Sequence, residues 1–357
     1  MTSVRGSGPV SPRVLFLFMN ATDPSARIRV FNLLPDLQKA GFKLECVPYP
    51  HHIQRKLKLL RECRKYDVVV VHRKLLPIVD TILLRRNARR LIFDFDDAIY
   101  HRSDLHSRTD LDSRSRLMKF QYLVRRADLV IAGNRILADY AKQFNRRVSI
   151  LPSSVETRGI PTKQYGVPSD RTIIGWVGGA YNLHHLQLLT PVFQKLAGHH
   201  NIQVRILCSE RIEIPSVDVR LIPWKLETQE AEIAACDIGV MPLPDNKSTE
   251  GKCGYKALQY MAAMVPTVVS DVGVNREIVE HGREGFVVKA IDDFYGALEA
   301  LIIDKTLRYE MGVCARKKVE RLYSVDLIGR RLAAMLRQCI MGDNPTEDED
   351  RHIVARN

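Results

Sequence analysis

The sequence predicts an α/β protein made of two tandem Rossmann-like, doubly wound parallel-sheet domains with an interdomain cleft. Three observations predict it. Short apolar runs recur through the chain and alternate with helical stretches, the pattern of parallel strands covered on both faces. The alternation pauses at residues 152–171, a stretch rich in Ser, Thr, Gly and Pro, and then starts again. The length, 357 residues, is enough for two cores of ordinary size. In tandem doubly wound domains the ligand crevices lie at the carboxyl ends of the strands.

Taken in order, the first series opens with the strand Val14-Leu15-Phe16-Leu17-Phe18 and a polar loop from Asn20 to Ser25. An amphipathic helix is expected over 26–40, ended by Gly41. Strands follow at 44–47, 67–71, 91–95, 129–132 and 148–151, with helical stretches at 53–64, at 75–86 and ending at 126. The second series has strands at 172–177, 204–207, 219–222, 238–241, 267–270 and 285–288. Helices are expected at 184–196, 227–236, 291–303, 306–320 and 325–339. The divisions are a disordered leader at 1–12, a first domain at 13–155, a linker at 156–171, a second domain at 172–322, a terminal helix at 323–341 and a disordered tail at 342–357.

Composition narrows the function classes. No apolar run approaches the ~20 residues of a membrane span. The first dozen residues are too polar and too rich in Pro and Gly for a signal peptide, so a cytoplasmic protein is expected. Seven cysteines without a CxxC pair read as reduced thiols, with neither disulfides nor zinc. The net charge of +13 is uneven: residues up to Asp170 carry 31 Lys and Arg against 16 Asp and Glu, and the remainder 23 against 25. Basic clusters at 55–65, at 85–90 and at Arg125-Arg126 would attract nucleic acid, anionic lipid or an acidic substrate, or simply form a solvated surface. No interleaved aromatic platform accompanies them, which argues against nucleic acid.

The most informative stretch is GKCGYKALQYMAAMVPTVVSDVG, residues 251–273. A glycine-bearing turn with Lys252 and Lys256 opens a helix carrying Tyr255, Leu258, Met261 and Ala262 on one face. Pro266 stops that helix, and Thr267-Val268-Val269-Ser270 reads as a buried strand. A helix N-terminus flanked by two ammonium groups suits a phosphate-bearing ligand. Upstream, Gly175-Trp176-Val177-Gly178-Gly179 closes one strand and opens a helix, and its glycines allow backbone to approach an anion closely. Neither GxGxxG nor a P-loop is present.

With its continuation VNREIV, residues 274–279, the 251–273 segment resembles the donor-binding segment of retaining GT-B glycosyltransferases of family four, the glycosyltransferase group 1 type. The resemblance implies a nucleotide-sugar-binding second domain, an acceptor-side first domain and a terminal helix that returns to the first. It implies front-face transfer of a sugar to a hydroxyl, without a resident cofactor and without a metal. It also implies that Gly178, Gly179, Lys252, Cys253, Gly254, Tyr255, Lys256, Gln259 and Glu277 meet the donor, Lys252 at its diphosphate. The family's E-x7-E frame falls on Gly251 and Gln259, so both acids are altered; Gln259 can still bond a ribose hydroxyl. The Arg and Lys that usually follow the glycine turn are replaced by Ala180, Tyr181, Asn182 and His184, which leaves Lys252 and Lys256 as the substitutes.

Asp94-Phe95-Asp96-Asp97 ends the fourth strand. Three carboxylates so spaced also suit Mg²⁺, but the family generally works without a metal and none is assigned. Asp96 and Asp97 occupy the place of the family's His-Asp and are the candidate catalytic residues, able to stabilise oxocarbenium-like charge or orient the acceptor hydroxyl. Arg27 is the candidate for the acceptor or a donor phosphate. The doublets His51-His52, His184-His185 and His199-His200 are given no metal, because neighbours on a helix point different ways. The basic first half suggests an anionic or lipid-linked acceptor, or docking at an anionic membrane surface. Alternatives are a non-catalytic GT-B relative that binds nucleic acid or anionic lipid, and a GT-B enzyme with epimerase or pseudoglycosyl-coupling chemistry.

Overall fold

The computed structural model describes residues 11–104, 109–167, 169–210 and 212–343. The leader expected at 1–12 and the tail at 342–357 fall almost wholly outside the described residues. Chain contacts define two units. One comprises Met1–Tyr100, Arg114–Pro152 and Asp326–Asn357; the other comprises His101–Ser113 and Ser153–Val325. The sequence reading carried the first domain unbroken to residue 155, whereas the structure groups His101–Ser113 with the second unit. A short polar stretch holds no periodicity to report where it docks.

The first unit runs β1 (Arg13–Phe18), α1 (Pro24–Arg29), α2 (Leu34–Lys39), β2 (Lys43–Pro48), α3 (Ile53–Glu62), β3 (Val68–His72), α4 (Ile78–Asn87), β4 (Leu91–Phe95), α5 (Arg114–Arg126), β5 (Leu129–Ala132), α6 (Arg135–Lys142) and β6 (Val148–Ile150). Its strands form one parallel sheet in the order β2-β1-β3-β4-β5-β6. The wholly apolar runs are central: every residue of β3, β4 and β5 is buried. Phe120 on α5 meets both Phe93 and Phe95 of β4 edge to face, with ring centroids 5.9 and 5.1 Å apart.

The second unit runs β7 (Thr172–Val177), α7 (Leu183–Gln187), α8 (Thr190–Ala197), β8 (Ile202–Leu207), β9 (Asp218–Ile222), α9 (Gln229–Ala234), β10 (Ile238–Met241), α10 (Tyr255–Ala262), β11 (Thr267–Ser270), α11 (Asn275–Ile278), β12 (Gly285–Val288), α12 (Asp293–Ile303) and α13 (Lys305–Leu322). Its parallel sheet is ordered β12-β11-β10-β7-β8-β9. Trp176, Leu186, Phe193, Ile206 and Phe294 lie in one core cluster on a face of that sheet. The last helix, α14 (Val325–Met341), belongs almost entirely to the first unit, where Arg331 donates to the Ile150 carbonyl.

Two expected helices are each broken in two. The helix foreseen over 26–40 divides into α1 and α2, with Pro35 in the first turn of α2. Proline lacks the N–H that would continue the ladder into the preceding turn. Pro191 likewise opens α8, separating it from α7. Helix α6 was not foreseen; Asn134 caps it by accepting the Leu137 N–H at 2.9 Å.

In each sheet the chain starts in the interior, builds outward to one side, and then crosses to the other. The order therefore reverses between β1 and β3 in the first unit and between β7 and β10 in the second. Crevices form outside the carboxyl ends of strands at such switch points.

Candidate active site

At the switch point of the second unit, Gly178-Gly179 follows β7 and the loop 242–254 joins β10 to α10. The loop is held by one of its own side chains and by one from β11. Asn246 Oδ1 accepts the N–H groups of Ser248 and Thr249 at 2.8 and 3.0 Å, and Ser270 Oγ accepts that of Leu243 at 2.9 Å. Gly254 caps α10 in the left-handed region (φ +62°), where a Cβ would stand 2.2 Å from Ile278 Cδ1. On α10, Leu258, Met261 and Ala262 are buried, as the periodicity requires, and Tyr255 is half-buried. Tyr260 fastens the helix to β7: its hydroxyl donates to Gly175 O and accepts the Val177 N–H, both at 3.0 Å.

This anchoring sets Lys256 against the glycine turn. Its ammonium lies 5.2 Å from the centroid of the Trp176 ring. A Cβ on Gly178 would meet Trp176 Cη2 at 2.6 Å and Lys256 Cε at 3.0 Å, so only glycine lets the three pack together. Among the described residues Lys256 makes no hydrogen bond and no ion pair. Burial and the neighbouring charge of Lys252 push its pKa down to about 7, against the opposing pull of Asp104 and Cys208.

Asp104 enters the same corner from the His101–Ser113 segment. It is buried, with His185 Nε2 at 2.9 Å, His184 Nε2 at 3.8 Å, Ser248 Oγ at 3.3 Å and Asn246 Nδ2 at 3.4 Å. Burial works to raise its pKa, but the His185 contact and the charge of Lys252 hold the carboxyl well below the usual range. Burial lowers the pKa of His185 in turn. The expectation that the two histidines diverge is wrong here. Helix α7 is a five-residue turn, and it brings the two rings within 4.1 Å of each other, both facing Asp104. Asp104, His184 and His185 each place a ligand atom within 4.8 Å of the others, a spacing open to a divalent cation. Lys252 and Lys256 both act on that carboxylate, however, and their charge favours an anion in the corner over a second cation. Three buried polar atoms of this region, Trp176 Nε1, His184 Nε2 and His185 Nδ1, have no hydrogen-bond partner among the described residues.

The remaining donor candidates lie nearby in the chain. Gln259 on α10 is half-buried and donates to Gln229 Oε1 at 3.4 Å, an oxygen that also accepts Trp224 Nε1–H at 3.1 Å. Cys253 is half-buried in the loop, and Glu277 half-buried on the four-residue α11.

The first unit has its own cluster of charges at the β1/β3 switch point. Arg29 of α1 clamps Asp94, with Nε 3.0 Å from Oδ2 and Nη2 2.5 Å from Oδ1. His72 Nδ1 lies 2.6 Å from the same carboxylate, and His72 Nε2 lies 3.0 Å from Ser25 Oγ. Ser25 in turn donates to Asp96 Oδ2 at 2.5 Å. Arg73, in the left-handed region at φ +56°, donates to Asp97 Oδ2 at 2.7 Å and stands 3.7 Å from Asp96 Oδ1. Burial would raise the Asp94 pKa, but the Arg29 guanidinium and His72 hold it well below the usual range; Arg73 does the same for Asp96 against its own burial. The structure thus separates the three carboxylates: Asp94 is tied to Arg29 in the interior, while Asp96 and Asp97 share Arg73. Arg27, expected at the acceptor or a phosphate, is half-buried on α1, and Arg29 on the same helix bonds Asp94.

His72, Arg73 and Asp104 were not singled out from sequence. His72-Arg73 could have been, because His72 closes β3 directly after four valines, at the carboxyl edge of the sheet. Asp104 has no local signal.

Comparison with known proteins agrees with this layout. Residues 171–304, which lie within the second unit, match the family model described as Glycosyl transferases group 1. No curated protein sequence matches the chain. The fold is similar to that of HepE from Anabaena, solved with UDP and glucose, at 14% identity and a TM-score of 0.69, covering 92% of this chain and 100% of HepE. It is also similar to sucrose-phosphate synthase from Thermosynechococcus elongatus, at 14% identity and a TM-score of 0.72, covering 93% and 100%. A third similar structure is the lipopolysaccharide outer core galactosyltransferase WaaB, at 13% identity and a TM-score of 0.63, covering 91% and 99%. The architecture is GT-B. No helix among the described residues is long and apolar enough to cross a membrane.

Proposed function

We propose that the chain is a retaining glycosyltransferase that moves a sugar from a nucleotide diphosphate sugar, held by the second unit, to a hydroxyl of an anionic or lipid-linked acceptor held by the first. The observation that supports this best is Lys256, whose amine stands against Gly178 and Trp176 at a switch point, without an ion-pair partner among the described residues. A diphosphate would supply the missing countercharge, and its oxygens could accept from Trp176 Nε1.

In this reading the departing diphosphate is stabilised by Lys252 and Lys256, which do the work that a divalent cation does elsewhere, so no metal is required. Gln259 reads the ribose hydroxyls, and Gly178, Gly179, Cys253, Gly254 and Tyr255 line the donor. Ser25 and Arg73 orient Asp96, Arg73 alone orients Asp97, and the two carboxylates serve the acceptor hydroxyl and the positive charge that develops on the sugar. The departing phosphate helps to take up the acceptor proton. The excess of Lys and Arg before residue 171 favours the anionic acceptor, or an anionic membrane surface that presents it.

The test is nucleotide release from a panel of UDP-, GDP- and ADP-sugars offered with lipid-linked and anionic acceptors. Release that depends on acceptor, with the anomeric configuration kept in the product, supports the proposal. A folded protein that releases no nucleotide from any donor would leave a non-catalytic GT-B relative as the better account.

A further inference from the structure

Lys256 is placed to do more than attract phosphate. The residue is half-buried, its amine has an aromatic ring on one side, a glycine turn on another and the charge of Lys252 acting on it, and no carboxylate forms an ion pair with it among the described residues. The titratable groups acting on it are Lys252 from the loop before α10, Asp104 from the 101–113 segment, Cys208 after β8 and His185 on α7. Asp104 is occupied by His185, Ser248 and Asn246, and His184 faces that same carboxylate. An ammonium so enclosed is costly until a dianion arrives.

We propose that Lys256 carries a proton into the donor complex: the amine is ionised when a diphosphate lies against it and gives the proton up when the site empties. This rests on the reading of the second unit as the donor site. In the empty unit the amine has a pKa of about 7, held down by burial and by Lys252, so above neutrality it is mostly uncharged. A bound diphosphate raises that pKa, because opposite charge favours the ionised form. Binding then takes up a proton between about pH 7 and the pKa of the complex, and donor affinity falls as pH rises through that window.

The experiment is titration calorimetry with UDP-glucose, whose diphosphate has no ionisation of its own in this range, at pH 8 in buffers of differing ionisation enthalpy. We expect uptake of close to one proton per nucleotide (roughly 0.9 for a pKa near 7) and a dissociation constant rising toward tenfold per pH unit above neutrality. Lys256→Arg, charged throughout, should bind with little or no uptake and a flat pH profile. Should the guanidinium not fit, Lys256→Met should also show no uptake, with affinity weakened at pH 6.5 far more than at pH 9. Binding without proton uptake overturns the proposal, and so does uptake unchanged in both variants, which would assign the proton to another group. If no nucleotide or nucleotide sugar binds at any pH, the donor-site reading itself fails and this inference falls with it.

Discussion

Asp94 is an interior charge held by two partners. Arg29 and His72 both bond to it, and its relative exposure is 6%. Asp94→Asn would leave the Arg29 guanidinium buried without its countercharge, which costs about 3 kcal/mol or more. Urea unfolding should show that loss as a lower midpoint at unchanged slope. The pH dependence has a definite sign. The folded pKa of Asp94 lies below its unfolded value, so its contribution is complete above about pH 4 and is lost as pH falls into the acid range. The wild type should therefore lose stability on acidification more steeply than Asp94→Asn. An equal slope in the two would show that Asp94 is not the group being titrated.

At the scale of elements, α10 positions the candidate donor site, and two residues fix it in place. Gly254→Ala would put a Cβ into the left-handed region and against Ile278, costing about 1 to 2 kcal/mol before any rearrangement of α11. Thermal unfolding should show a lower Tm, and donor affinity should fall with it because the loop bearing Lys252 shifts. Tyr260→Phe removes the hydroxyl that joins α10 to Gly175 and Val177, at a cost of about 1 to 3 kcal/mol for the buried groups left unpaired. Much of this was legible beforehand. The glycine turn, the apolar stripe of Leu258 and Met261, and the strand after Pro266 follow from local periodicity and proline chemistry. The breaks at Pro35 and Pro191 were equally local, and were lost because a helical pattern of apolar residues runs through both prolines. What sequence could not report is long-range: the arrival of Asp104 beside His185, 81 residues away, and the pairing of Arg29 with Asp94, 65 residues away. Both depend on how strands pair, which no window of residues records.

For the molecule as a whole, the strand order places candidate chemistry at one switch point in each unit, and charge divides the chain in the same way. The basic excess lies before residue 171, while the remainder is close to neutral. If that excess serves an anionic surface, co-sedimentation with vesicles containing phosphatidylserine should be strong at low ionic strength and weak at about 0.5 M salt, where screening is nearly complete. Binding that ignores salt would mean that the basic clusters are only solvated surface. The central claim, that the Gly178–Lys256 corner of the second unit holds a nucleotide diphosphate, is tested most directly by titrating UDP at pH 6.5 into the wild type and into Lys256→Met. The account predicts saturable binding by the wild type and at least about tenfold weaker binding by the variant, equivalent to 1.4 kcal/mol, with both proteins equally folded. Equal affinities in the two would contradict it.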